Sequence, residues 1–326
     1  MKTIRSNKYR RRRRRSDRTK FLMIAAGIGG AVLIAAAVVA VGLILLFHSQ
    51  KKAPAETADV SSAETAAVSS EIIEGPSSEI VAINPNAATA KSTGRLSYQS
   101  LYPEMYVPIV KKIPAKDGDK VVYLTFDSGP SNQTSDLLEA LEEADVKATF
   151  FVTCQGSMTE SARKRIKEIA KDGHAVGVYS YGSDREKLYA SVEDYLADFS
   201  QMSDVIYEAT GEKPTIFRFP GGSRCEENEE IYEELVAEME RRGFSYFDWN
   251  VDSGDSLTAA SEKMIYDETV EGITTHGKSI VLMHNTASNQ NTVKQIVAII
   301  NKAKKEGYRF DVLDPSVKPF SFASPE

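Results

Sequence analysis

Tyr123-Leu-Thr-Phe-Asp-Ser-Gly-Pro130 decides how this chain is read. With Val121 and Val122 before it, the run is β-branched and aromatic, and it breaks at Gly129-Pro130. Residues 121–127 therefore read as a strand that delivers a carboxylate, Asp127, to its C-terminal end, with the hydroxyl of Ser128 next to it.

Outward from this run, six more strand-like stretches follow at 147–153, 175–180, 215–220, 245–251, 279–285 and 308–313. Amphipathic stretches separate them at 135–144, 160–171, 192–210, 229–242 and 292–305, several closed by Gly173, Gly211, Gly243 and Gly307 as helix stops. Strands alternating with helices make a parallel sheet with crossover helices, and seven strands suggest an α/β barrel over residues 98–326. Chemistry in such barrels collects at the C-terminal ends of the strands, where Asp127, Tyr179, Arg218, Asp248 and His284 fall.

Upstream, residues 21–47 are apolar or small without one charge, a run of 27 where about 20 residues cross a bilayer. A cleaved signal peptide has an apolar run of roughly 7 to 15 residues, so this one reads as a transmembrane signal anchor. The leader 1–20 holds Lys2, Arg5, Lys8, Arg10 to Arg15, Arg18 and Lys20 against the single acid Asp17, which places it in the cytoplasm and the rest outside the membrane. An arginine run beside a membrane span answers to topology and anionic lipid, so no nucleic acid is expected. Gly27 and Ala31 form a small-xxx-small pair, a weak signal for helix pairing.

Residues 48–97 are rich in Ala, Ser, Thr and Glu, interrupted by Pro54, Pro76 and Pro85, a composition expected to form a disordered tether. Fifty such residues span about 40 Å as a flexible coil, which sets the domain within the cell-wall layer. Removing the leader's 11 basic and 1 acidic residues from the totals of 40 and 46 leaves 29 and 45, a net charge of −16 outside. Bulk attraction to polyanions is thereby disfavoured. With only Cys154 and Cys225, no disulfide framework carries the fold.

Five segments in order give the chemistry: Thr-Phe-Asp-Ser-Gly-Pro (125–130), Gly-His-Ala-Val-Gly-Val-Tyr-Ser-Tyr-Gly-Ser (173–183), Arg-Phe-Pro-Gly-Gly (218–222), Asp248-Trp249, and Leu-Met-His (282–284). Together they resemble the polysaccharide deacetylases of carbohydrate esterase family 4, the NodB-homology group. The resemblance implies a distorted (β/α) barrel that removes acetyl groups from N-acetyl sugars of peptidoglycan, chitin or related glycans with a divalent metal such as zinc. It places Asp127 as catalytic base, His284 as general acid and Arg218 as the residue orienting the base. Pro220 and Gly221 match the loop that helps hold the oxyanion, and Trp249, Leu282 and Tyr179 fall at the substrate groove.

The family's Asp-His-His metal ligands fall on Ser128, Tyr179 and Ser183. Neutral hydroxyls replace carboxylate and imidazole poorly around zinc, so no metal site of the family's kind is expected. Without the ion, bound water keeps its high pKa and the acetyl carbonyl loses its electrophile. Tyr179 and Tyr181 either fill the space of the lost imidazoles or stack against a sugar ring. His174 lies outside the metal triad and reads as structural. Cys154 and Cys225 are free thiols, a disulfide, or ligands of a rebuilt site with His284, an option that Asp252 and Asp255 keep open.

The expected function is thus a single-pass, membrane-anchored, extracytoplasmic deacetylase-like protein, catalytically impaired, binding or scaffolding cell-wall glycan such as peptidoglycan. An active deacetylase removing N- or O-acetyl groups through a non-standard site is the alternative, and O-acetyl esters are its easier target. A structural membrane protein with an unnamed protein partner is the third reading.

Overall fold

In the computed structural model, the first strand sets the geometry of everything around it. The structure describes residues 96–322 apart from 115 and 117. The expected leader, transmembrane helix and nearly all of the tether lie outside the described residues. Among the described residues no helix is long and apolar enough to cross a membrane.

Strand β1 (Val121–Gly129) is buried along nearly its whole length. Side chains alternate with period two, so Val122, Leu124 and Phe126 join the large core under the helices, while Val121 and Tyr123 join a smaller core on the inner face. The same alternation aims Thr125 and Asp127 inward. Strand β2 (Thr149–Thr153) adds Phe151 to the inner face, β3 (Ala175–Ser180) adds Ala175 and Tyr179, and β7 (Lys278–His284) adds Ile280, with Leu282 and His284 two and four residues on. Gly177 must be glycine, because a Cβ there would stand 2.8 Å from the Phe151 ring and 2.9 Å from the Ile216 carbonyl.

The remaining strands are short: β4 (Ile216–Phe217), β5 (Ser245–Tyr246), β6 (Val251–Asp252) and β8 (Arg309–Phe310). Every pairing is parallel, in the order β5-β4-β3-β2-β1-β7-β6, with β8 beside the start of β1. The sheet curls as an open half-barrel, an α/β fold consistent with a distorted barrel. Eight strands replace the seven expected, because 245–251 divides into β5 and β6 on opposite edges. Between them the Asp248 N–H donates to Phe320 O at 3.0 Å, and Asn250 donates to Lys278 O and accepts from Ile280 N. The C-terminal segment around Phe320 thus lies across the gap between the edges.

Helices α1 (Thr134–Glu143), α2 (Glu160–Lys171), α4 (Val192–Thr210), α5 (Tyr232–Arg241) and α7 (Gln290–Lys305) fall where periodicity puts them. The short α3 (Arg185–Leu188) and the 14-residue α6 (Glu262–Thr275) were not expected. Thr159, Ser191 and Ser261 cap α2, α4 and α6 by accepting from the backbone N–H three residues on. Gly173, Gly211, Gly243 and Gly307 all adopt positive φ after helices, as their reading as stops requires.

The N-terminal segment is tied down by one side chain. Arg242, fully buried, pairs with Glu238 at 2.7 Å and donates to the carbonyls of Tyr98, Leu101, Tyr102 and Met105. Truncating it would leave the Leu101 and Met105 carbonyls without their donor, while Arg241 still holds Glu238.

Candidate active site

Four strand ends converge on one polar cleft. Asp127, buried, accepts from Arg218 Nη1 at 2.9 Å. Arg218 is itself fully buried and spends its other donors on Phe247 O (2.7 Å), Thr125 Oγ1 (2.6 Å) and Asp248 O (3.3 Å). Its guanidinium lies over the Phe151 and Trp249 rings, 4.5 and 5.5 Å from their centroids. Burial raises the Asp127 carboxyl pKa, against the opposing pull of Arg218 and His284. A carboxyl made more basic by burial has the proton affinity a general base needs.

His284, at the end of β7, is held through Asp255. Its Nδ1 meets Asp255 Oδ1 at 2.7 Å, and its backbone N–H donates to Oδ2 at 2.9 Å, which also accepts from Thr292 Oγ1 at 2.8 Å. With Nδ1 donating, Nε2 is left for the cleft. Burial pulls the imidazole pKa down, but the hydrogen bond and charge of Asp255, with the charge of Asp127, leave it raised above its usual value.

Asp255 is the site residue that sequence reasoning misplaced. The motif acid Asp248 does not face His284; it accepts from Ser223 N and Oγ and from Phe322 N, and so fixes the 218–223 loop and the C-terminal segment. Asp252 caps a turn by accepting from Gly254 N. The signal for Asp255 was the Val-Asp-Ser-Gly-Asp run after Trp249, visible in the sequence but read there as a possible metal cluster.

Pro220 O accepts from Tyr189 Oη at 2.9 Å, and Gly221 follows with φ of 88°. A Cβ on Gly221 would stand 2.5 Å from Arg185 Nη1, so the loop lets that guanidinium approach closely. Arg185, which also pairs with Glu227 at 2.7 Å, was not anticipated at the site. Trp249 is half-buried against Phe322, ring centroids 5.0 Å apart. Leu282 is buried on the inner side of β7, in register with Thr125.

The other wall is different. Ser128 adopts φ of 63°, a left-handed conformation unusual for serine. Its side chain stands beside Tyr179, at the end of β3. Burial and then the Asp127 charge push Tyr179 up to about 12, so the phenol stays protonated. A recess of about 220 Å³ opens beside them, lined by Thr153, Ser180, Ser183 and Arg185 among others. Ser183 is exposed at its rim. Tyr181 is not part of it: the ring packs against the outer core and its N–H donates to Asp198.

Zinc does not fit this wall. Two aliphatic hydroxyls and a protonated phenol supply no anionic or imidazole donor. Among the described residues, no group of three or more His, Cys, Asp or Glu side chains is placed to share an ion. Both cysteines are free, which rules out the disulfide; Cys154 lies buried beside Met202 Sδ, and burial and then Asp198 push its thiol up to about 12. Neither thiol joins His284 in such a group among the described residues, so the rebuilt site of His284 with a cysteine gains no support. His174 is structural as expected. Its Nδ1 accepts from Ala148 N, and burial followed by the Lys147 charge brings its pKa down to about 4.

Residues 115–244 match the family model described as polysaccharide deacetylase. A peptidoglycan-N-acetylglucosamine deacetylase of Bacillus cereus is 30% identical over 70% of this chain and 82% of its own length. The crystal structure of the catalytic domain of a peptidoglycan N-acetylglucosamine deacetylase from Eubacterium rectale superposes with a TM-score of 0.60 at 34% identity, covering 65% of this chain and 95% of that one. A carbohydrate esterase family 4 pseudoenzyme from Bacillus anthracis superposes with a TM-score of 0.51 at 26% identity, over 63% of this chain and 68% of that one.

Proposed function

This chain belongs to the polysaccharide deacetylase family, and we propose that its outer domain is a glycan-binding member in which metal-dependent hydrolysis is impaired. The observation that carries this reading is the set of neutral hydroxyls of Ser128, Tyr179 and Ser183 around one recess, standing where the family resemblance puts metal ligands. An acid and a base remain at Asp127 and His284, but neither polarises an amide carbonyl, so N-deacetylation would lose orders of magnitude in rate. The Bacillus anthracis pseudoenzyme is a precedent for a family member without activity. Two relatives named for peptidoglycan support cell-wall glycan as the ligand class. Residues 21–47 would anchor the domain on the outer face of the cell membrane.

The test pairs calorimetric zinc titration with sedimentation on purified peptidoglycan. The wild type is expected to take up no zinc tightly and to co-sediment with the glycan. The triple variant Ser128→Asp, Tyr179→His, Ser183→His is expected to bind zinc stoichiometrically and to release acetate.

The intact Arg218–Asp127 and Asp255–His284 pairs favour a second reading, hydrolysis of O-acetyl esters, which need less electrophilic help than amides. Acetate release by the wild type that disappears in Asp127→Asn would establish it in place of the first.

A further inference from the structure

A second recess lies at the other end of the sheet from Asp127 and His284. It has a volume of about 310 Å³ and is lined by Asn250, Lys278, Ile280, Lys318, Pro319 and Phe320, with Pro114 at its edge. Lys278 opens β7 and His284 ends it, so six strand steps of about 3.3 Å put the two sites roughly 20 Å apart. Nothing in the cleft chemistry involves this end of the barrel.

The recess holds two ammonium groups. Lys278 is half-buried; its Nζ donates to the carbonyl of Lys318 and stands 5.7 Å from the Tyr123 ring centroid. Lys318 is exposed at the rim. Among the described residues, neither amine has a carboxylate within ion-pair distance, in a chain whose net charge beyond the leader is −16. Burial first, and the charge of Lys318 second, bring Lys278 down to about 8, and no acid opposes them. Asp311, Asp314 and Asp119 lie on this side, but they act on the Tyr123 phenol instead. A half-buried cation facing a second cation in a walled recess is costly unless an anion joins them.

The lining narrows the chemistry of that anion. Asn250 already has both amide atoms engaged by the backbone of β7, so the lysines are the principal charged donors. Two point-charge ammoniums with no guanidinium fork suit the spread charge of a phosphate better than the planar geometry of a carboxylate. Phe320, Ile280 and the prolines give apolar walls, and the volume exceeds that of a bare phosphate.

We propose that this recess binds a phosphate ester whose organic part packs on Phe320 and Ile280 while its anion is held between Lys278 and Lys318. The inference is independent of whether the Asp127 cleft binds or hydrolyses glycan.

Calorimetry on the full chain in neutral detergent tests it, with inorganic phosphate, glycerol 1-phosphate and short-chain phosphatidylglycerol as probes. The basic leader is common to every variant, so only differences between variants report the recess. Lys278→Gln combined with Lys318→Gln is expected to weaken glycerol 1-phosphate binding about tenfold or more, the scale of one lost charge-assisted contact. Lys318→Gln alone, at an exposed position that leaves the fold intact, is expected to weaken it several-fold. Tighter binding of the short-chain lipid than of glycerol 1-phosphate would identify a lipid headgroup; equal binding would identify a soluble or polymer-borne phosphate ester. Equal affinity of wild type and Lys318→Gln for every probe would overturn the proposal.

Discussion

On one wall of the cleft, Asp127 and His284 each sit against a dedicated partner, Arg218 and Asp255, with nearly every polar atom of those partners engaged. On the other wall, Ser128, Tyr179 and Ser183 offer hydroxyls around an open recess. The walls differ in what a single substitution costs. Removing one member of a buried ion pair leaves an uncompensated charge, whereas exchanging a hydroxyl-bearing residue beside an open recess leaves none. An intact Asp127–Arg218 pair therefore follows from folding energetics as much as from catalysis. The hydroxyl wall is where substitution costs folding little.

The largest effect should come from Arg218→Met, which leaves Asp127 buried without its partner. We expect stability to fall by about 3–5 kcal/mol in urea denaturation. A loss below about 1 kcal/mol would erase the distinction between the walls.

Next is Asp255→Asn, expected to cost about 2 kcal/mol through its charged hydrogen bonds. Because the folded His284 pKa is raised, its pairing stabilises fully below the unfolded value near 6.5 and is lost as pH climbs through the folded value. The Asn variant should therefore be penalised more at about pH 5.5 than at about pH 8.5 in parallel melts. An equal penalty at both would mean that Asp255 does not govern this titration.

Tyr179→Phe should be milder, about 1 kcal/mol, since it removes a single neutral hydroxyl beside the recess. Ser183→Ala should lie within about 0.5 kcal/mol of wild type in the same assay. A large loss at either residue would show that the hydroxyl wall is also part of the folding core.

Much of this was legible in the amino-acid order, and the remainder was hidden for definite reasons. Strands β1, β2, β3 and β7 are long apolar runs, and their alternation alone puts Asp127, Tyr179 and His284 on the inner face. Strands β4, β5 and β6 pair over two residues each, too few for any periodicity, and their neighbours Arg218 and Asp248 are polar because they build the site. Helix α6 escaped notice because its buried stripe is only Ile265, Thr269 and Ile273. Asp255 could not be matched to His284 from spacing. They are 29 residues apart, and the pairing depends on the β6–β7 register that sets Asp252 against Leu282.

Arg242 has a mechanical consequence. The carbonyls it gathers come from several points between Tyr98 and Met105, and they converge on one guanidinium braced by Glu238. A pull on the chain ahead of Leu96 would therefore load several hydrogen bonds in parallel instead of breaking them one at a time. The junction would resist unzipping under tension and pass the load into helix α5, so that the domain moves as a body before its leading edge peels.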